Sequence, residues 1–164
     1  MLMPMITFLC MGIGLAWAGA EADLELASDA DADMSVRMAA FERLVDLGST
    51  DMALVSAVSQ DDEVDARQRW VAIRVLGQIG GVRAGELLVR LLDEEMPAVR
   101  AAAAQSLGDL GEPNFAPQII VLLDDPAVIV RAAASEALGK LRAPAAVEPL
   151  AQALMSKKSF YRNS

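Results

Sequence analysis

Side chains able to carry charge recur along this chain at a fixed step. Arg69, Arg100 and Arg131 stand 31 residues apart, and Asp62, Asp93 and Asp124 keep the same step, each seven residues ahead of its arginine. A guanidinium and a carboxylate so placed can tie a turn to the helix that follows it by charge-assisted hydrogen bonds. A partner site varies between units whereas a packing device repeats, so these pairs read as a structural ladder and not as a binding site. Other side chains vary at matching places: Met38, Glu42 and Asp46; Trp70, Arg74 and Gln78; Ala101, Gln105 and Asp109; Ala132, Glu136 and Lys140. A spacing of four residues puts each trio on one face of a helix. Trp70 differs most from its counterparts, and with Arg67 and Arg74 it forms a combination enriched at binding hot spots. Tryptophan is also usually well buried, so a reading of equal weight has Trp70 packing on the first unit to close the irregular end of the stack.

The same inventory excludes most chemistry. Histidine is absent, which removes the commonest metal ligand and the commonest general base together. The chain has neither a phosphate-cradling glycine loop nor a Gly-x-Ser-x-Gly elbow. Asp29-Ala30-Asp31-Ala32-Asp33 opens like a calcium loop, but Met34 stands where that loop needs glycine and Ala40 where it needs a bidentate glutamate. Asp61-Asp62-Glu63 and Glu94-Glu95 read as solvated turns. No catalytic, cofactor-binding or metal-binding residue is assigned. The formal net charge is -9, and the leader alone holds Glu21, Asp23, Glu25, Asp29, Asp31 and Asp33, which leaves 17 acidic against 14 basic side chains beyond it. Nucleic acid would require a basic stripe, so the charge argues against that partner.

The elements that must hold these groups follow from the apolar pattern. Val130, Ala133, Ala134, Ala137, Leu138 and Leu141 recur at helical spacing, as do Val71, Ala72, Val75, Leu76 and Ile79, and Val99, Ala102, Ala103, Leu107 and Leu110. Seven residues after each ladder arginine comes a Leu-Gly pair: Leu76-Gly77, Leu107-Gly108 and Leu138-Gly139. Gly80-Gly81, Gly111-Glu112-Pro113-Asn114 and Arg142-Ala143-Pro144 then turn the chain. Second helices run through Leu87, Leu88, Leu91 and Leu92, through Ile119, Ile120, Leu122 and Leu123, and through Val147, Leu150 and Leu154. Scarce aromatics, at 4%, and abundant Ala and Leu favour an all-α class. The expectation is four units, about 34–65, 66–96, 97–127 and 128–156, stacked so that each buries its apolar face on its neighbours and leaves a long open surface. One further step from Val130-Arg131 reaches Tyr161-Arg162, so 157–164 reads as a tail or as the start of an incomplete fifth unit.

Residues 1–20 carry no charged side chain and end in Ala18-Gly19-Ala20. They predict a secretory signal cleaved after Ala20, with an acidic linker over 21–33. An uncleaved membrane anchor is the alternative, although the run is short for a span. Cys10, the only cysteine, lies inside this signal, so a cleaved chain would form no disulfide. The expected location is periplasmic or extracellular, with no membrane contact after cleavage.

Asp-Pro-x-x-x-Val-Arg-x-Ala-Ala-x-x-Ala-Leu-Gly, at Asp125 to Gly139 and nearly so at Glu95 to Gly108, resembles the short HEAT repeats of the phycobilisome-lyase type. The resemblance covers roughly residues 34–156 and implies a right-handed α-solenoid of about four antiparallel helix pairs, an armadillo-type superhelix. In artificial binding scaffolds built on similar repeats, the places of the four trios form the concave surface. By that resemblance Glu42, Asp46, Trp70, Arg74, Gln78, Gln105, Asp109, Glu136 and Lys140 line a groove, bordered by Arg67 and Ile129. The implied function is a non-enzymatic exported scaffold, monomeric alone, that binds a protein or peptide there without a cofactor. The alternative is a phycobilin-lyase-like or other accessory subunit acting on a chromophore-bearing or enzyme partner. Two-iron hydroxylases of HEAT type need His-Glu pairs, which a chain without histidine cannot supply.

Overall fold

The computed structural model describes residues 14–50 and 52–162, with 14–18, 49–50, 54, 154 and 156–162 described through their backbone alone. Most of the expected signal, Cys10 included, lies outside the described residues. Helices make up the fold, and no strand occurs among the described residues. They are α1 (Gly14–Ser28), α2 (Met34–Thr50), α3 (Met52–Gln60), α4 (Ala66–Ile79), α5 (Gly81–Arg90), α6 (Pro97–Leu110), α7 (Ala116–Val121), α8 (Val128–Leu141) and α9 (Val147–Arg162).

Local chemistry accounts for the helix ends. Asp65 caps α4 by accepting the Arg67 N–H at 2.9 Å. Pro97 opens α6, where its missing N–H costs nothing. Gly111 ends α6 at φ 77°, and Arg142, one repeat later, takes the same left-handed place after α8 at φ 48°. A side chain there costs about 1 kcal/mol or more.

The first helices α2, α4, α6 and α8 stack side by side, with the α6–α8 contact the most extensive, while α3, α5 and α7 pack against α4, α6 and α8. Ile73, Leu76, Leu88, Leu107, Ile119 and Leu138 fill the space between, all essentially without solvent exposure. The result is an all-α repeat solenoid. Its repeated Leu-Gly pairs divide the work: the leucine enters the core and the glycine admits the next helix. A Cβ added to Gly77 would lie 2.8 Å from Ser106 Cβ, and one on Gly108 would lie 2.7 Å from Ala137 Cα. A Cβ on Gly139 would meet nothing within 4 Å among the described residues.

The arginine ladder is structural, but its partners differ from the seven-residue pairing. Arg69 does bond Asp62, Nη1 to Oδ1 at 2.7 Å, and its Nη2 also lies 3.3 Å from Glu94 Oε2 in the next unit. Arg100 instead donates from Nε and Nη2 to Asp125 at 2.8 and 3.0 Å, and from Nη1 to the Glu94 and Glu95 carbonyls at 2.7 and 2.8 Å. Arg131 Nη1 donates to the Asp125 and Pro126 carbonyls at 2.7 and 2.9 Å. Asp93 and Asp124 are exposed at the ends of short 3-10 turns, and neither pairs with its arginine among the described residues. The next residue along, Glu94 or Asp125, is the one drawn in beneath the preceding unit's arginine. The Arg100 guanidinium holds the Asp125 carboxyl below its ordinary range, against an opposing push from burial.

The segment expected as an acidic linker departs from expectation. Residues 21–28, read as part of a solvated linker, continue α1, which packs mainly on α2 and also reaches α4. Ala20 and Ala27 are buried, Leu24 packs on the core, and Arg43 bonds Asp23 through Nη2 at 2.6 Å and Nε at 2.9 Å. At the other end α9 runs on through 157–162.

Two contrasts check this packing by chemical denaturation. Gly108→Ala must push α8 away and should destabilise by about 1–3 kcal/mol, as overpacking does. Gly139→Ala meets open space and should stabilise by up to about 1 kcal/mol through helix propensity. Asp125→Ala strands Arg100 and removes the acceptor of the Ala127 N–H, so a loss of about 3 kcal/mol is expected. Asp124→Ala should stay within about 0.5 kcal/mol. Equal effects at Asp124 and Asp125 would refute the revised ladder.

Candidate partner-binding face

Helix α4 carries Arg67, Trp70 and Arg74 at i, i+3 and i+7, one above another on one face, the first two exposed and the third half-buried. Trp70 is 47% exposed. The Arg74 guanidinium carbon stands 5.9 Å from the centre of its ring, at the outer reach of a cation–π contact. Met38, at the corresponding place on α2, is 50% exposed. Ala101 and Ala132 continue this row across α6 and α8, the first half-buried and the second exposed. An apolar row therefore crosses the units and is broadest at Met38 and Trp70.

Beside it the charges pair with one another. Arg74 Nη1 donates to Asp109 Oδ2 at 2.6 Å, and Lys140 Nζ donates to Asp109 Oδ1 at 2.8 Å. Lys140 Nζ also lies 2.9 Å from Glu136 Oε1, one helical turn away on α8. A single polar chain thus joins α4, α6 and α8, with Asp109 at its centre. Burial pushes the Asp109 carboxyl up, but the bonds from Lys140 and Arg74 outweigh it and hold the group below the ordinary aspartate range. Asp109 and Glu136 in turn raise Lys140 above the ordinary lysine value.

Of the residues selected from sequence, Trp70, Arg74, Asp109, Glu136 and Lys140 are drawn into one connected group. Arg67, Gln78 and Ile129 are exposed and Gln105 is half-buried; they belong to the same set of helices without joining that chain. Glu42 and Asp46 lie exposed on α2, and Asp46 is engaged in an interaction of its own. Met38 was left out of the selection, although its matching place with Trp70 marked it. Among the described residues no group of histidine, cysteine or carboxylate side chains could hold a metal ion.

The paired charges make stability depend on pH in a definite direction. The lowered folded value of Asp109 supplies stability above the ordinary aspartate pKa of about 3.9 that fades as pH falls through the folded value. Asp109→Asn should therefore differ most from the parent at neutral pH, the gap closing in urea melts as pH falls below the ordinary aspartate range and through the lowered folded value. Lys140 works the other way: its contribution is full below about pH 10.4 and is lost as pH rises through its raised value. An unchanged gap across the acid range would remove Asp109 from this role.

A family model for HEAT repeats matches residues 52–126 and again 86–164. Among solved structures, human deoxyhypusine hydroxylase in complex with glycerol superposes with a TM-score of 0.55 at 25% identity, over 79% of this chain and 46% of that one. The chain thus spans about half the length of that enzyme. The complex of CpcE and CpcF of phycocyanin lyase from Nostoc sp. PCC7120 gives a TM-score of 0.59 at 23% identity, over 85% of this chain and 88% of that one, a likeness of fold. No curated protein matches the sequence. The glycine-mediated stacking of first helices, the repeated Arg and Leu-Gly places and the two overlapping matches agree: the chain belongs to the family of HEAT repeats.

Proposed function

We propose that this protein is an exported, non-enzymatic scaffold, monomeric alone, that binds a protein or peptide in a groove along its first helices. The half-exposed Trp70 under Arg74 carries this reading. A large aromatic left in water and flanked by arginines is the residue combination found at binding hot spots. With Met38 it offers apolar area that a partner would cover, and the neighbouring charge chain would fix that partner's register. Glu42, Asp109 and Glu136 beside the cations disfavour nucleic acid. The complex of CpcE and CpcF, two chains bound to each other, supports a protein partner. Export rests on the uncharged first twenty residues and their Ala18-Gly19-Ala20 ending. A second reading, an accessory subunit acting on a chromophore-bearing or enzyme partner, draws on the 88% coverage of the phycocyanin lyase chain.

A photo-crosslinking residue in place of Gln105, on the face, compared with one in place of Glu86, on α5, locates the partner in cells. Crosslinks should form at 105 and not at 86. Against the captured partner, Trp70→Ala should lose about 2 kcal/mol of binding with little change in melting temperature. Mass spectrometry of the secreted fraction should find Glu21 as the first residue. Failure to crosslink through the face would end the scaffold reading, and a cytosolic protein that binds tetrapyrrole would favour the accessory one.

A further inference from the structure

Arg67 and Arg74 stand on either side of Trp70 along α4, and their charge is only partly used. Arg67 is exposed, and its side chain makes no hydrogen bond or ion pair among the described residues. Arg74 commits Nη1 to Asp109, while its Nε and Nη2 make no hydrogen bond among the described residues. Asp109 is shared: its other oxygen already accepts from Lys140. An incoming carboxylate could therefore take Arg74 while Asp109 stays neutralised by Lys140, so the exchange strands no charge.

Resting on the groove reading above, we infer that the partner presents an acidic segment with an apolar side chain between two carboxylates, seated on Arg67, Trp70 and Arg74. Seven helical residues span about 10.5 Å. A peptide in the polyproline II form advances about 3.1 Å per residue and completes a turn in three, so carboxylates three positions apart lie on one side and match the two arginines. The apolar side chain between them falls over Trp70, where Met38 widens the seat. A continuous polyanion fits less well, because Glu42, Asp109 and Glu136 lie on the same helices and would oppose phosphates that cannot be spaced to avoid them.

The test uses the full chain and the synthetic peptide Ser-Glu-Leu-Ser-Glu-Ser, capped at both ends, with versions carrying Gln or Lys for both Glu. Titrations followed by nitrogen-15 NMR would read the indole N–H of Trp70 and the side-chain N–H signals of Arg67 and Arg74. The Glu peptide should shift these signals saturably, and the Gln peptide should bind about ten-fold more weakly or worse, as loss of a hot-spot contact does. Added salt should weaken the Glu peptide. Arg67→Glu and Arg74→Gln should each weaken it, whereas Asp109→Asn should tighten it by removing the internal competitor. Equal binding of Glu and Gln peptides, no binding of either, weakening by Asp109→Asn in a folded protein, or stronger shifts with oligothymidylate would each overturn the inference. If a groove-crosslinked partner loses affinity with Trp70→Ala yet tolerates Arg67→Glu and Arg74→Gln, the scaffold reading stands and this one falls.

Discussion

Everything in this fold hangs on how closely one first helix can approach the next. Packed helices ordinarily stand about 8–10 Å apart, the distance being set by the side chains between them. At Gly77 and Gly108 no side chain intervenes, and the backbone or Cβ of the following helix occupies the space a Cβ would need. That approach fixes the sideways register of the stack as well as its spacing. Residues one repeat apart then face each other across neighbouring helices, which is why Lys140 Nζ reaches Asp109, one 31-residue step earlier, at 2.8 Å. The polar chain on the open face is thus a consequence of glycines beneath it that carry no charge.

The same logic applies at α2, before which no other first helix stands among the described residues. Val75, Ser106 and Ala137 hold one equivalent place and are all buried, Ser106 and Ala137 against Gly77 and Gly108 of the helix before. In the first unit that place belongs to Arg43, which no apolar neighbour could satisfy. Helix α1 stands on that side and offers Asp23, while Leu24 and Ala27, both beyond the proposed cleavage after Ala20, cover part of the core. A guanidinium bonded in this way remains partly solvated, with its side chain 52% exposed, so it avoids the desolvation cost of a buried ion. On α8 the repeat glycine, Gly139, has nothing against it among the described residues. The interfaces at Gly77 and Gly108 are tight, whereas α2 is held on its other side by a contact of different chemistry.

What could be read from sequence divides along a physical line. The apolar stripes, the turn glycines and the repeat length are properties of one helix or one turn, and they were legible because helical periodicity is local. The offset between helices is not local. The seven-residue pairing failed for Asp93 and Asp124 because it compared positions along one chain, while Arg100 finds Asp125 through the stacking of two turns. Asp109 looked like a free variable charge for the same reason, since its bonds come from α4 and α8. The helical part of 21–28 was hidden by its acids, although Ala20, Leu24 and Ala27, at i, i+4 and i+7, already traced a stripe. The exposure of Trp70 could not be read, because tryptophan suits a core and a contact surface equally.

Stability and recognition meet at Asp109. A charge used only for packing would be sealed, as Asp125 is, with 6% of its side chain exposed against Arg100 at 12%. A charge used only for recognition would stand free in water. The Asp109 side chain is 19% exposed and serves two cations on different helices, so neither bond is indispensable to its neutralisation. Losing one partner leaves an ion pair, not a buried bare charge, and that limits the cost of rearrangement. Two-partner sharing lets the face be rigid while empty and still yield one arginine to a stronger claimant. Glycine spacing makes the sharing possible by bringing α4, α6 and α8 within reach of one carboxylate, so the residues that vary between units act on a geometry set by those that repeat.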